Sequence, residues 1–312
     1  MPAPPSSTPR AAGASSLLLF LLPSFIWGTT WLVIKFQLGV VAPEASVAWR
    51  FALASALLLA GCALRGVPLR FAAADHLRLA LLGLLLFGLN YVLIYLAEGS
   101  LTSGLVAVLF SFIIFWNLLG ARVFFGTPAP RAVVGGALLG VAGVCLLFWP
   151  EVAAGLRPGA GQALGILYAV LGTLVASAGN LWSQRLFARG LGVVPATAWA
   201  MGYASLQVLA WCSLRGVPLA FDARPAYVLS LLYLALFGSV VAFVSYLTLL
   251  RRIGSGRSGY TAAVILVVAM LASTLFEGYR WSGPALFGLG LVLAGTVLVL
   301  RAKERIVQAR PP

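Results

Sequence analysis

Charge is what this sequence has least of. Only 9% of its 312 residues are Asp, Glu, Lys or Arg, against roughly a quarter in soluble domains. Acidic groups are scarcest, seven against 21 basic ones. An ordinary water-soluble domain is excluded, because 62% of the residues are hydrophobic and mean hydropathy is +1.03. There is one histidine, His76, beside Asp75 in a connection, where it reads as a solvated surface residue. Three cysteines, Cys62, Cys145 and Cys212, lie in or at the edge of apolar segments without metal-ligand spacing and read as packing residues. Neither a metal nor a cofactor is expected. No convergent set of His, Asp, Glu or Cys marks a catalytic centre, so the chain does not read as an enzyme. No Asp falls at mid-membrane depth, which leaves no obvious proton relay. Alternating strands of about ten residues, the mark of a membrane barrel, are also missing.

What the chain has instead is a series of apolar runs, each long enough at 1.5 Å per residue to cross roughly 30 Å of hydrocarbon. Helices are predicted at 17–38, 44–64, 77–97, 102–121, 130–149, 162–187, 195–214, 226–250, 258–276 and 282–300. The first run exceeds the 7–15 residues of a signal-peptide core and reads as a retained helix. The expected fold is an all-α polytopic membrane protein of ten transmembrane helices. Residues 1–16 read as a disordered cytoplasmic tail, 150–161 as a linker and 301–312 as a basic cytoplasmic tail.

An internal repeat organises the spans. Cys62-Ala63-Leu64-Arg65-Gly66-Val67-Pro68-Leu69 recurs as Cys212-Ser213-Leu214-Arg215-Gly216-Val217-Pro218-Leu219, and Phe87-Gly88 recurs as Phe237-Gly238. With a two-residue shift, Gly136 and Gly143 match Gly288 and Gly295. The halves, 17–149 and 162–300, hold five helices each. Five is odd, so the second half enters the membrane in the opposite sense, giving the inverted repeat found in secondary transporters. With both termini in the cytoplasm, 15 of the 21 basic residues fall on the inner side, as the positive-inside rule requires. The +14 formal charge is therefore a matter of topology and anionic lipid; membrane lipid is an expected partner and nucleic acid is not.

Polar groups within spans are costly and mark candidate function. On helix 1, Trp27, Thr30, Trp31, Ile34 and Lys35 share one face. That face either lines a pathway or forms an aromatic belt with Lys35 snorkelling outward, and Lys35 also suits a gate. The repeat pairs it with Ser177, Asn180, Gln184 and Arg185 on helix 6. Helix 3 offers Asn90, Tyr91, Tyr95 and Glu98, of which Tyr91, Tyr95 and Glu98 share one face at i, i+4 and i+7, and helix 8 offers Tyr246. The expected substrate cavity is formed by Trp27, Thr30, Trp31, Asn90, Tyr91, Tyr95, Ser177, Asn180 and Tyr246; aromatic rings with polar tips suit an amphipathic organic solute better than a bare ion. Arg50, in helix 2, either holds a substrate carboxylate or pairs with Glu44 or Glu98. Glu277 closes helix 9 as a cap, a gate or a packing acid.

Trp27-Gly28 followed by Lys35, Pro43 with Arg50-Phe51 and Ala54, two five-helix repeats and Glu277 closing helix 9 resemble the EamA-type members of the drug/metabolite transporter superfamily. The resemblance runs from about residue 17 to 300. It implies a carrier of the bacterial inner membrane, and the aromatic residues make the chain similar to the branch exporting aromatic amino acids and methyl viologen. Phe125 stands where that family closes helix 4 with Glu, and helices 4 and 9 lack its mid-helix Pro. The expected activity is alternating-access export of aromatic and other apolar amino acids and related metabolites by a monomer or weak homodimer. A competing expectation is proton-coupled efflux of organic cations, which would have to use Glu98 or Glu277. An intramembrane lipid-modifying enzyme is a remote third.

Overall fold

A computed structural model of the chain describes residues 10–126, 131–147, 149, 160–249 and 261–308. These form α1 (Arg10–Ile34, continued by a 3₁₀ turn, Lys35–Gln37), α2 (Pro43–Leu64), α3 (Ala73–Glu98), α4 (Ser103–Phe124), α5 (Arg131–Leu147), α6 (Ala160–Ala188), α7 (Val193–Arg215), α8 (Pro225–Leu249), α9 (Thr261–Phe276) and α10 (Gly283–Gln308). No strand occurs among the described residues. Seven helices are long and apolar enough to cross a membrane; α5, α9 and α10 contribute shorter apolar segments. Residues 1–9, 309–312 and the 150–159 part of the expected linker lie outside the described residues.

Both end helices extend beyond their apolar runs. The first begins at Arg10 rather than Leu17, since Ala11, Ala12 and Ala14 are strong helix formers and the last Pro before the apolar run is Pro9. The last continues to Gln308 through Ala302-Lys303-Glu304-Arg305, again good helix formers with no Pro among them.

The repeated sequence folds the same way twice. α2 and α7 close with one C-terminal motif: the Val67 and Val217 N–H groups donate to the Cys62 and Cys212 carbonyls, each at 2.9 Å. Gly66 and Gly216 both adopt φ 65°, a left-handed position that a side chain would strain. α3 and α8 each contain a π-helical turn, Leu84–Leu89 and Leu234–Val241, starting at repeat-equivalent residues.

Contacts between the halves are reciprocal. Ser55 Oγ donates to the Ala198 carbonyl at 2.8 Å, and its counterpart Ser205 donates to Ala48 at 2.9 Å. Trp49 and Trp199 each reach a carbonyl beyond the helix of the other half, at Ala220 (3.1 Å) and Leu69 (3.0 Å). α1 packs on α8 and α9, as α6 packs on α3 and α4. At the periphery α5 lies on α10, so closely that a Cβ at Gly143 would stand 2.5 Å from the Gly288 carbonyl, and the reverse. Large apolar side chains such as Leu64, Leu138, Leu174, Leu214, Leu275 and Phe287 point outward, which suits a lipid-facing surface.

Three sequence expectations change. Cys62 and Cys212 are buried, but Cys145 is exposed rather than packed. His76 is not a free surface residue: its Nδ1 lies 2.9 Å from Tyr203 Oη, and its ring stands edge-on to Trp199 at 4.9 Å and to Phe71 at 6.0 Å. α4 lacks the mid-helix Pro yet breaks between Phe110 and Ile113, where Ser111 Oγ donates back to the Val108 carbonyl at 2.6 Å and weakens the helical ladder.

Candidate functional site

The π turn of α8 puts Gly238 beside α1 and α2. A Cβ there would lie 3.1 Å from both Arg50 Nη2 and Thr30 Cγ2. This close approach lets Trp27 Nε1 donate to the Gly238 carbonyl at 3.1 Å. The Trp27 ring then meets Phe243 at 4.9 Å and Tyr246 at 5.1 Å. Phe243 in turn touches Phe87 (4.9 Å) and Tyr91 (6.4 Å), and Phe51 touches Phe87 (5.4 Å) and Tyr91 (4.9 Å). One aromatic cluster therefore joins α1, α2, α3 and α8, with edge-on and tilted ring pairs that are favourable beyond area alone.

Arg50 sits at its border with 0% of its surface exposed. Nε donates to Ser239 Oγ at 3.0 Å and Nη1 to Tyr95 Oη at 3.4 Å. Tyr95 Oη donates to Gln37 Oε1 at 3.2 Å, and Gln37 Nε2 to Ser230 Oγ at 3.3 Å. The guanidinium lies over the Tyr91 ring, 4.6 Å from its centroid. Every partner is neutral. Among the described residues no carboxylate pairs with Arg50, neither Glu44 nor Glu98, and Nη2 has no hydrogen-bond partner. A fully buried cation without an anion is costly.

Tyr95 also lines a cleft of about 440 Å³ bounded by Lys35, Leu38, Gly39, Pro43, Leu96, Glu98 and Gly99. The 3₁₀ turn after α1 aims Lys35 into the end of α3. Its Nζ donates to the Glu98 and Leu101 carbonyls and stands 3.7 Å from Glu98 Oε2 and 3.9 Å from Glu277 Oε1. Lys35 is thus bound within the protein rather than snorkelling. Glu277 receives the Ser103 N–H, at 3.1 Å to Oε2 and 3.2 Å to Oε1, and the Ser103 hydroxyl. It caps the start of α4, where a negative charge also suits the helix dipole.

The other expected cavity residues fall elsewhere or use their polar groups locally. Thr30 Oγ1 donates to the Ile26 carbonyl (2.6 Å) and Asn90 Nδ2 to the Leu86 carbonyl (3.1 Å), each within its own helix, leaving Asn90 Oδ1 unpartnered. Trp31 leaves the cluster for Phe110 at 5.2 Å. Ser177 Oγ donates to Asn117 Oδ1 at 2.9 Å and joins α6 to α4, and Asn180 is buried on the same helix. No hydrogen bond or ring contact among the described residues ties these two to the Arg50 cluster. Gln37, Ser230, Ser239 and Phe243 were missed. Ser239 follows the repeated Phe237-Gly238 directly, and that adjacency was the available signal.

Three comparisons bear on this arrangement. The family model described as the EamA-like transporter family matches residues 14–149 and again 163–301. The uncharacterized inner membrane transporter YedA of Escherichia coli K12 is 29% identical over 282 residues, covering 89% of this chain and 88% of that one. Protein PagO of Salmonella typhimurium is 21% identical over 293 residues, covering 94% and 95%. A solved crystal structure, 21% identical, superposes with a TM-score of 0.67 over 94% of this chain and 99% of its own, a likeness of fold.

Proposed function

The chain belongs to the EamA-like transporter family, and from that premise we propose that it is a secondary transporter of the bacterial inner membrane. It exports aromatic and other apolar amino acids and related small metabolites by alternating access. Ten helices cross the membrane as two inverted halves, with both termini cytoplasmic. The reciprocal Ser55 and Ser205 hydrogen bonds support a twofold relation between halves, and the excess of basic residues in alternate connections supports the orientation. The relative YedA is named an inner membrane transporter, which agrees with this location.

The observation that carries the substrate class is Arg50: fully buried, surrounded by neutral hydroxyls and rings, with Nη2 unpartnered. A substrate carboxylate would supply the missing anion through a charge-assisted hydrogen bond. Rings from Trp27, Phe243, Tyr91 and Tyr246 would cover an aromatic or apolar side chain. The same uncompensated positive charge repels an organic cation and weighs against cation efflux. Reconstitution into liposomes tests this: labelled phenylalanine or tyrosine is taken up above protein-free vesicles and competed by other apolar amino acids. Uptake of no amino acid in such a panel would overturn the reading.

A further inference from the structure

We infer that the Lys35–Glu98–Glu277 cluster is a one-proton exchange site, with Glu98 the group that carries the proton, and that it couples transport to a proton gradient. The inference rests on the chain being a transporter, as proposed above, but not on which solute it carries.

The argument begins with a count of charge. One lysine stands between two carboxylates, at 3.7 Å and 3.9 Å, so the fully ionised cluster holds a net negative charge in a region of low polarity. Like charges sharing one site cannot both ionise cheaply. The two acids differ in what holds them. Glu277 has 13% of its side chain exposed and accepts from the Ser103 N–H and hydroxyl. Glu98 has 0% exposed, and neither Oε1 nor Oε2 has a hydrogen-bond donor. Two Lys35 N–H donors go to backbone carbonyls, and 3.7 Å is too long for a hydrogen bond. Glu98 is therefore the carboxylate that the fold leaves without support as an anion. With a proton on it, Lys35 and Glu277 balance and the cluster is neutral.

The cleft gives that proton a route. Lys35 and Glu98 both line the 440 Å³ cleft. Among the described residues, the charged and titratable groups around Glu98 are Lys35 after α1, Glu277 at the end of α9, Tyr95 one turn back on α3, and Arg50 on α2 behind Tyr95. Arg280 follows Glu277 in the chain and is exposed. α4 presents Ser103, and α6 presents Gly165 against Ser100 and Leu101; neither brings a charged side chain to this end. The step moves one proton: when the cleft opens to the buried carboxylate, hydronium delivered from bulk gives up a proton, an O–H bond forms on Glu98, and the water left behind returns to bulk. Loss of that proton leaves an unsupported anion that only hydration can satisfy. Deprotonation is thereby tied to opening of the cleft, and opening is what alternating access requires.

Two measurements test the site. In liposomes holding a pH-sensitive dye, a phenylalanine gradient imposed on the wild type changes the lumenal pH. Glu98→Gln loses that pH change while still exchanging labelled for unlabelled phenylalanine at a reduced rate, and Glu98→Asp restores part of it. Phenylalanine transport by the wild type without any pH change, or a pH change that survives in Glu98→Gln, overturns the inference and leaves the proposed function standing. Independently of any solute, infrared difference spectra of detergent-purified protein between acid and alkaline pH show a protonated-carboxyl band that Glu98→Gln removes. A wild-type spectrum without that band overturns the inference even if phenylalanine is not the substrate. The band present with no amino acid transport overturns the substrate reading alone.

Discussion

Ser55 and Ser205 make the same hydrogen bond in opposite directions, the first to the Ala198 carbonyl and the second to the Ala48 carbonyl. Such reciprocity is what a twofold relation between two homologous halves produces, because each patch meets its own counterpart. It also locates the joint between halves, along α2 and α7, close to Arg50 and Phe51. Under the alternating access proposed above, a rocking motion that preserves this pair leaves α1 and α6, each packed into the opposite half, to change partners.

The two serines are accordingly expected to be energetically equivalent. Ser55→Ala and Ser205→Ala each lower stability by about 0.6 kcal/mol, the average for interhelical hydrogen bonds within membranes. The double variant loses the sum, since the bonds share no group. Unfolding in detergent checks this, and a large difference between the single variants would show that the joint is not symmetric.

The pairing of α5 with α10 depends on backbone approach. Gly288→Ala puts a Cβ 2.5 Å from the Gly143 carbonyl and 3.0 Å from Leu146 Cβ, and backbone cannot rotate aside. A loss of about 1–3 kcal/mol is expected, as for other overpacked sites. Gly290→Ala, on the same helix with open space around it, is the control and leaves stability unchanged or slightly raised. Thermal melting of the purified variants separates the two.

Much of the helix layout was legible because its punctuation is local. The Arg-Gly-Val-Pro stretches name their own turns, and Gly66 and Gly216 adopt the conformation that only a glycine takes comfortably. The face shared by Tyr91, Tyr95 and Glu98 was legible too, because it lies wholly on the regular turns after Leu89. Across the π turns a simple wheel fails, as the wider turn shifts every later residue around the axis. That is why Ser239 escaped notice, and with it the Arg50 contact that stands where the sequence offered Glu44 or Glu98. The expectation that Ser177 and Asn180 would join Trp27 and Thr30 assumed that repeat-equivalent residues face one another. Instead α6 reaches α4 through Asn117, just as α1 reaches α9.

If Arg50 receives a carboxylate, its removal should be selective for that group. Arg50→Gln raises the half-saturating concentration of phenylalanine about ten- to a hundredfold, from roughly 1.5–3 kcal/mol for a hydrogen bond to a charged group. Arg50→Lys restores little, because a compact ammonium lacks the planar fork that spans Ser239 and Tyr95 while presenting Nη2. Inhibition by phenethylamine, a cation at neutral pH that lacks the carboxylate, is not weakened and rises as the repelling charge is removed. Equal losses for both compounds would assign Arg50 to structure alone.

Lys35 gives the last prediction, and it turns on the difference between breaking an ion pair and replacing it. Lys35→Met leaves Glu98 and Glu277 facing each other with no cation, and both oxygens of Glu98 are already without donors. Leaving buried charge uncompensated costs about 3 kcal/mol, reduced in proportion as water reaches the site through the side of Lys35 that is 28% exposed. At alkaline pH, where Glu98 loses its proton, adding Glu98→Gln removes the unsupported charge, while Glu277 keeps its Ser103 donors. The double variant should therefore be more stable than Lys35→Met alone, a recovery that a purely apolar role for the lysine stem would not give. Detergent melting temperatures of the two single variants and the double variant provide the cycle. Simple additivity of the two losses would mean that Lys35 and Glu98 do not sense one another.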